Sequence, residues 1–374
     1  MFVQLKDKRQ SAFRCATKLA SLVVLMVVLL PSTALAHSSN SVVATVNVGS
    51  LPTGVAFDFA NNDMYVANQG SATVSRIDSN TNTVTATISV GDGPSEFAFN
   101  PANKDMYVSN FNSATVSRIS SATNAVVATI SVGAGPEILA YNFANHDIYV
   151  PNDFSNTVSR ISSSTDSVVA TINIGPNPDR VAYNFANGDV YVNNRDSDTV
   201  QRIGSSTNAV VATIGVGSGP EGLAFDFANQ DIYSANAISG TVSRISSQTD
   251  LVVATISVGS GASEMAFNPV NKDMYVSNHG SGTVSRVSSR TNTVVATMSV
   301  GTTPRGIIFN FANGDVYATN DGSATVSRIS TRTNTVVATI GVGNRPVFLA
   351  FDFTSSFVYA TNQFSATLSV ISSA

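Results

Sequence analysis

A block of 42 residues recurs along this chain with no insertion or deletion. The alanine of the phrase VVATI marks it, at Ala44, Ala86, Ala128, Ala170, Ala212, Ala254, Ala296 and Ala338. A fixed period of this size belongs to solenoids, propellers and arrays, and it overrides any domain count taken from the length of 374 residues.

Each period holds four short β-type runs, here named A to D. In the first they are residues 55–59, 64–66, 73–77 and 84–90. Branched and aromatic residues dominate them, as strands prefer. Alternation in the A run places Val55, Phe57 and Phe59 on one face and Ala56 and Asp58 on the other. Phe57 and Tyr65, with their equivalents, read as core between repeats. The A-to-B connections include Asn187-Gly188 and Asn313-Gly314, a strong hairpin signal. The C-to-D connections are rich in Ser, Thr and Asn, whose side chains bond to nearby backbone in turns. Glycines recur at the D-to-A junctions, as at Gly49, Gly91 and Gly133. Each period is therefore a meander of four antiparallel strands. Meanders repeated at this spacing predict an all-β, eight-bladed β-propeller. A separate four-stranded domain of 42 residues would bury too little to stand alone.

The two ends of the repeat region predict how the ring closes. It opens with a lone D run, residues 42–48, and finishes with A, B and C alone, at 348–353, 357–361 and 367–371. Pairing 42–48 beside 367–371 completes the last blade and covers two open edges. The expected organisation is a signal peptide at 1–36, a short linker at 37–41 and a propeller at 42–374.

The signal-peptide reading rests on Lys6, Lys8, Arg9, Arg14 and Lys18, an apolar run at 19–30, and Ala34-Leu35-Ala36 before His37. The apolar run is too short for a membrane span, which needs about 20 residues. The one cysteine, Cys15, leaves with this segment, so the mature chain is expected to hold neither a disulfide nor a thiolate metal site. Processing leaves 15 basic and 23 acidic residues, a net charge of −8. That balance argues against a nucleic-acid binder, which usually shows a basic stripe. The expected location is secreted or at the cell surface, or periplasmic if the source has an outer membrane. The mature chain is expected to be a monomer without a transmembrane segment.

The B runs carry Tyr65-Val-Ala-Asn68, Tyr107-Val-Ser-Asn110, Tyr149-Val-Pro-Asn152 and Tyr191-Val-Asn-Asn194. The remaining four are Tyr233-Ser-Ala-Asn236, Tyr275-Val-Ser-Asn278, Tyr317-Ala-Thr-Asn320 and Tyr359-Ala-Thr-Asn362. With the TVSRI and VVATI phrases that follow, residues 42–374 resemble the YVTN-type β-propeller repeat family. The resemblance implies a propeller in a secreted or surface-layer-like protein. Many members have seven blades, and the eight copies here depart from that. It implies no single activity, since related propellers include lactonases, lyases, quinone-dependent dehydrogenases and binding scaffolds.

Residues repeated in every copy read as structural. Asp63 recurs seven times and gives way to Phe357, which suits a turn-stabilising role. The arginines 76, 118, 160, 202, 244, 286 and 328 form a ring broken by Val370, expected to bond to carbonyls or acids between blades. Function is sought where copies differ. Near the recurring proline that opens each A run lie Glu96, Glu137, Asp179, Glu221 and Glu264, with Arg180 inside this acidic arc. Thr53, Arg305 and Val347 stand nearby in the other blades. These residues should rim the central channel, where carboxylates could hold a cation or a basic or polyhydroxy ligand. His279 lies in a B-to-C loop of the same blade as Glu264, and such a pair could serve as a general base or as metal ligands, although one histidine without a second nearby is a weak metal signal. His146 belongs to the opposite face. No nucleophile elbow, P-loop or zincin motif occurs, and tryptophan is absent. No catalytic set, metal site or cofactor is therefore assigned.

The preferred expectation is a non-catalytic binding scaffold that recognises a protein or an envelope polymer through its loop face. The alternatives are a solute- or cation-binding propeller using the acidic channel mouth, and a lactonase- or lyase-like enzyme.

Overall fold

A computed structural model of the chain describes residues 40–373. The signal peptide, Cys15 and His37 lie outside the described residues.

Eight four-stranded antiparallel sheets follow one another in chain order, seven of them built from consecutive strands. The eighth has the order D, C, B, A with its D strand taken from the other end of the chain, where Val42–Asn47 pairs with Thr367–Ile371. This is the expected eight-bladed propeller with the expected closure. We number the blades from the A strand that opens each, at Pro52, Pro94, Pro136, Pro178, Pro220, Ala262, Pro304 and Pro346.

The strands run longer than the apolar runs suggested. In blade 1 they are Pro52–Asp58, Asp63–Asn68, Thr73–Asp78 and Thr83–Ser89. Burial corrects the reading of one apolar face. The B strand Asp63–Asn68 is buried at all six positions. Each sheet is sandwiched between two neighbours, so both faces of the inner strands meet protein. The core is accordingly divided into eight clusters between blades. One joins Tyr65, Ala67, Val74 and Ile88 of blade 1 to Met106, Val108 and Ile119 of blade 2. Phe57 is buried as expected, whereas Phe59 is 48% exposed at the end of its strand. Asp58, buried, accepts from the Ala60 N–H at 2.8 Å and so shapes the A-to-B turn.

The repeated polar residues form one network per blade. Arg76 bonds to Asp63 across the B–C pair at 2.5 Å, and the same pair recurs in seven blades. The arginines thus find their acid within their own blade, and several then reach the next. Arg118 also bonds to Asp166 at 2.7 Å, and Arg160 to Asn208 at 2.7 Å. Tyr65, fully buried, accepts from Asn61 and donates to Asn124 of blade 2.

The D strands form the rim and contain no charged residue or proline. Their edges are blunted by another device. In every blade the register slips once between C and D, as between Arg76↔Ala86 and Ile77↔Val84, leaving Thr85 unpaired. The residue squeezed out is a half-exposed valine in most blades, for example Val127 and Val169. A bulge twists the edge away from further pairing, a task that charges usually perform. Among the described residues no helix is long and apolar enough to cross a membrane.

Candidate functional site at the channel mouth

The antiparallel meander places the D-to-A and B-to-C loops on one face and the A-to-B and C-to-D turns on the other. The start of each A strand therefore rims the channel on the loop face. Here the ladder is interrupted: pairing slips between Pro94 and Phe97, between Pro178 and Val181, and between Ala262 and Met265. These bulges release the two residues after the opening position from the pleat.

Residues two past the opening position differ from blade to blade: Gly54, Glu96, Ile138, Arg180, Gly222, Glu264, Gly306 and Phe348. Arg180 of blade 4 reaches Glu264 of blade 6, with Nη1 at 2.9 Å from Oε2 and Nη2 bonded to Oε1. This fork passes over blade 5, which has only Gly222 at that position. A Cβ on Gly222 would lie 1.9 Å from the Ser263 carbonyl, so the backbone there is already closed down. Bidentate pairing of this kind is the strong form of a charge-assisted bond.

The first blade of the arc is held differently. The Glu96 N–H lies 3.4 Å from Ser109 Oγ on the adjacent B strand, and Ser109 Oγ is 2.9 Å from Ser95 Oγ. Glu96 Oε1 is buried without a hydrogen-bond partner, and so is Arg180 Nε, which stands 3.9 Å from the Asp179 carboxylate. Burial pushes the Glu96 carboxyl up to about 8. Arg180 opposes that shift, and Glu264 and Glu137 add to it. Glu137 is also raised to about 8, by burial and by the charges of Asp179 and Asp153. Asp179 rises to about 6, chiefly through burial, with Arg180 pulling the other way. The side chains are not sealed from water, since Asp179 and Arg180 keep 24% and 19% of their surface. They line a channel, enclosed by protein on the sides yet open along its axis.

Blade 3 carries the most irregular A strand, Ala140–Tyr141. Its B strand contains Pro151, which has no N–H to give the ladder. The Glu137 N–H still reaches the Pro151 carbonyl at 2.9 Å, while the Ile138 N–H turns to Asp179 O of blade 4 at 3.3 Å. Blade 4 answers with Asn193, whose Oδ1 accepts from the Arg180 N–H at 2.7 Å and whose Nδ2 donates to Pro220 O of blade 5 at 2.9 Å. The loading of charge thus coincides with the place where neighbouring A strands are tied to one another.

Of the residues expected at the mouth, Glu96, Glu137, Asp179, Arg180 and Glu264 converge. Glu221 pairs instead with Arg195 at 2.7 Å, while its charge still acts on Asp179. Arg305, about half exposed, pairs with Asp321 at 2.8 Å. His279 does not join Glu264. Its ring packs beside Gly261, and Glu264 is occupied by Arg180. Thr53 is buried and donates to the carbonyls of Pro94 and Ser95, a seam between blades 1 and 2. Val347 is buried as well.

Other residues of this face escaped the sequence reading. Arg345 stacks over Phe364 at 4.7 Å and approaches Asp321 at 3.6 Å. Phe111 and Phe154 meet edge to face at 5.2 Å, with Phe154 69% exposed. Phe111, Asp153, Arg195 and Asp321 all follow the invariant asparagine of the B strand by one position. That column holds six residue types across the eight blades, where the asparagine before it never changes, and could have been singled out on that ground.

No protein-family model matches the chain, and no curated protein matches it. Solved structures share its fold. A hydrazine synthase structure from Kuenenia stuttgartiensis aligns with a TM-score of 0.61 at 17% identity, covering 92% of this chain and 99% of that one. The dihydro-heme d1 dehydrogenase NirN, solved in complex with DHE, aligns at 0.67 and 12% identity, over 82% of this chain and 69% of its own. A streptogramin B lyase aligns at 0.59 and 11% identity, over 88% and 96%. At these identities the likeness is one of fold, and propellers of this shape serve several chemistries.

Proposed function

We propose that this chain is a secreted or cell-surface binding propeller of the YVTN-repeat type, with its recognition surface on the loop face around the channel mouth. The ligand class that suits the mouth is a polyhydroxylated or amine-bearing segment of an envelope polymer. The observation that carries this reading is the convergence of Glu96, Glu137, Asp179 and Glu264 on Arg180, with Glu96 Oε1 buried and unpartnered. A protonated carboxyl offers a donor and an acceptor together, which matches a hydroxyl. An ionised one attracts an amine. Both forms coexist here near neutral pH. The Phe111–Phe154 pair of blades 2 and 3, with Phe154 exposed, supplies an apolar platform on the same face as the polar groups. Perturbed carboxyls gathered in a concave site favour function over mere solubility.

The test is binding of envelope polysaccharide fractions, and of their oligosaccharides, to the full chain and to a variant carrying Glu96→Gln, Glu137→Gln and Asp179→Asn. Loss of binding with unchanged thermal stability supports the mouth as the site. Retained binding in that variant, with loss in Phe154→Ala, would move recognition to the loop rim. Retained binding in both would remove the proposal.

A further inference from the structure

The opposite face holds a second candidate site. Between blades 5 and 6, where A-to-B and C-to-D turns meet, lies a cavity of about 540 Å³ lined by Asn229, Asn271, Lys272, Arg286, Ser289 and Arg290, among others. Most of its polar lining is already engaged. Arg286 is bound twice to Asp273 and once to Asn334. Asn229 and Asn271 donate to Tyr233 and Tyr275 and accept from the N–H groups of Asp231 and Asp273. Ser289 donates to the buried Asp226 behind the wall. Asp273 is neutralised by Arg286, and the neighbour that Arg286 reaches in blade 7 is the neutral Asn334. In blades 2 and 4 the equivalent arginines reach Asp166 and Asp250 instead. Lys272 and Arg290 are left: both are exposed, and neither has an acceptor among the described residues.

We propose that this cavity binds an oxyanion of the phosphate type, either free or borne on a polymer. Two uncompensated cations line one cavity whose remaining groups are satisfied. A bound oxyanion would complete that balance through charge-assisted bonds to both. The combination is peculiar to blade 6. At the position of Lys272, blade 2 has Lys104 but pairs it with Ala122. At the position of Arg290, blade 7 has Arg332 but pairs it with Gly314. Lys272 also sits at a turn position with φ of +61°, where Gly188 and Gly314 stand in blades 4 and 7, so its backbone is fixed by the hairpin. The site stands on the turn face and does not depend on the channel-mouth reading.

The protein supplies its own controls. Isothermal titration of the full chain with inorganic phosphate, and with a glycerol-phosphate oligomer, is compared among Lys272→Gln, Arg290→Gln, Lys104→Gln and Arg332→Gln. The expected result is binding that weakens about tenfold in each of the first two variants and is unchanged in the last two. Equal affinity per phosphate for both probes identifies a free anion as sufficient, and a preference for the oligomer identifies a polymer. Absence of binding to either probe at low ionic strength overturns the proposal. So does an equal loss in Lys104→Gln, which would mean diffuse positive charge instead of a site. All four side chains are exposed, and matched thermal melts confirm that folding is unaffected.

Discussion

Blade 8 differs from the other seven at the junction that looks most essential to them. In blades 1 to 7 an aspartate at the start of strand B holds an arginine on strand C, with distances of 2.5–2.7 Å. In blade 8 the same two positions hold Phe357 and Val370, which belong to one apolar cluster with Val46 and Leu368. The register is preserved, since Tyr359 opposes Val370 as Tyr65 opposes Arg76. The protein has therefore replaced a largely buried ion pair by packing within its own repeat. The pair organises seven blades without being a requirement of the blade. Desolvation of two charges offsets much of their attraction, so an apolar pair of suitable volume can match it, whereas half a pair cannot.

The sharpest way to break this comparison is to remove residues 42–48, which leaves blade 8 with neither an ion pair nor a fourth strand. We expect loss of cooperative unfolding in urea, or aggregation. An unchanged melt would show that the ring holds without closure. Next in size is Asp231→Ala, which strands the Arg244 guanidinium and should cost about 3 kcal/mol. The double variant Asp231→Phe, Arg244→Val copies blade 8 and should lie within about 1 kcal/mol of the parent. Additive losses in the double variant would show that blade 8 depends on context that blade 5 lacks.

The Arg180–Glu264 fork extends the comparison to a pair formed between blades. Arg180→Met should cost about 2 kcal/mol, because it leaves the Glu264 carboxylate without its bidentate partner. An unchanged melt would mean that the fork contributes nothing beyond the packing of the arginine stem, which Met retains. A smaller effect than that of Arg180→Met is expected for Glu96→Gln. The folded-state pKa of Glu96 is about 8 against an ordinary value of 4.5. The folded chain therefore holds the proton more tightly than the unfolded one, and stability falls as pH rises from 4.5 to about 8. Channel water screens the charge, so the variant should gain about 1–2 kcal/mol at pH 9 and nothing at pH 4. A parallel shift at both values would point to a cause other than ionisation.

The fold could be read because its information is local and repeated. Four runs per period set four strands, and the stray run at 42–48 named its own partner. The bulges could not be read, since Thr85 and Val127 look like ordinary members of a D run until register is known. At the mouth, the residue types were visible and their partners were not. Arg180 and Glu264 are 84 residues apart in sequence and meet only when blades 4, 5 and 6 have packed side by side. His279 and Glu264 share a blade, and that proximity in sequence suggested a pair that the cross-channel fork precludes. The irregular blade 3 did leave a trace, because Pro151 inside a B strand announces a missing donor.

The closing contact also sets a timetable. Val42 pairs with Ile371, so the first strand of the ring to leave the ribosome waits for the last. At roughly 5–20 residues per second, that wait is on the order of tens of seconds. Until then strand Val42–Asn47 has no partner at all, and strand Thr367–Ile371, once made, keeps one bare edge. The rim bulges guard the D strands already in place, but the C strand of the final blade has no guard until its partner docks. Completion of the chain, instead of formation of any one blade, is the event that ends its exposure to wrong pairing.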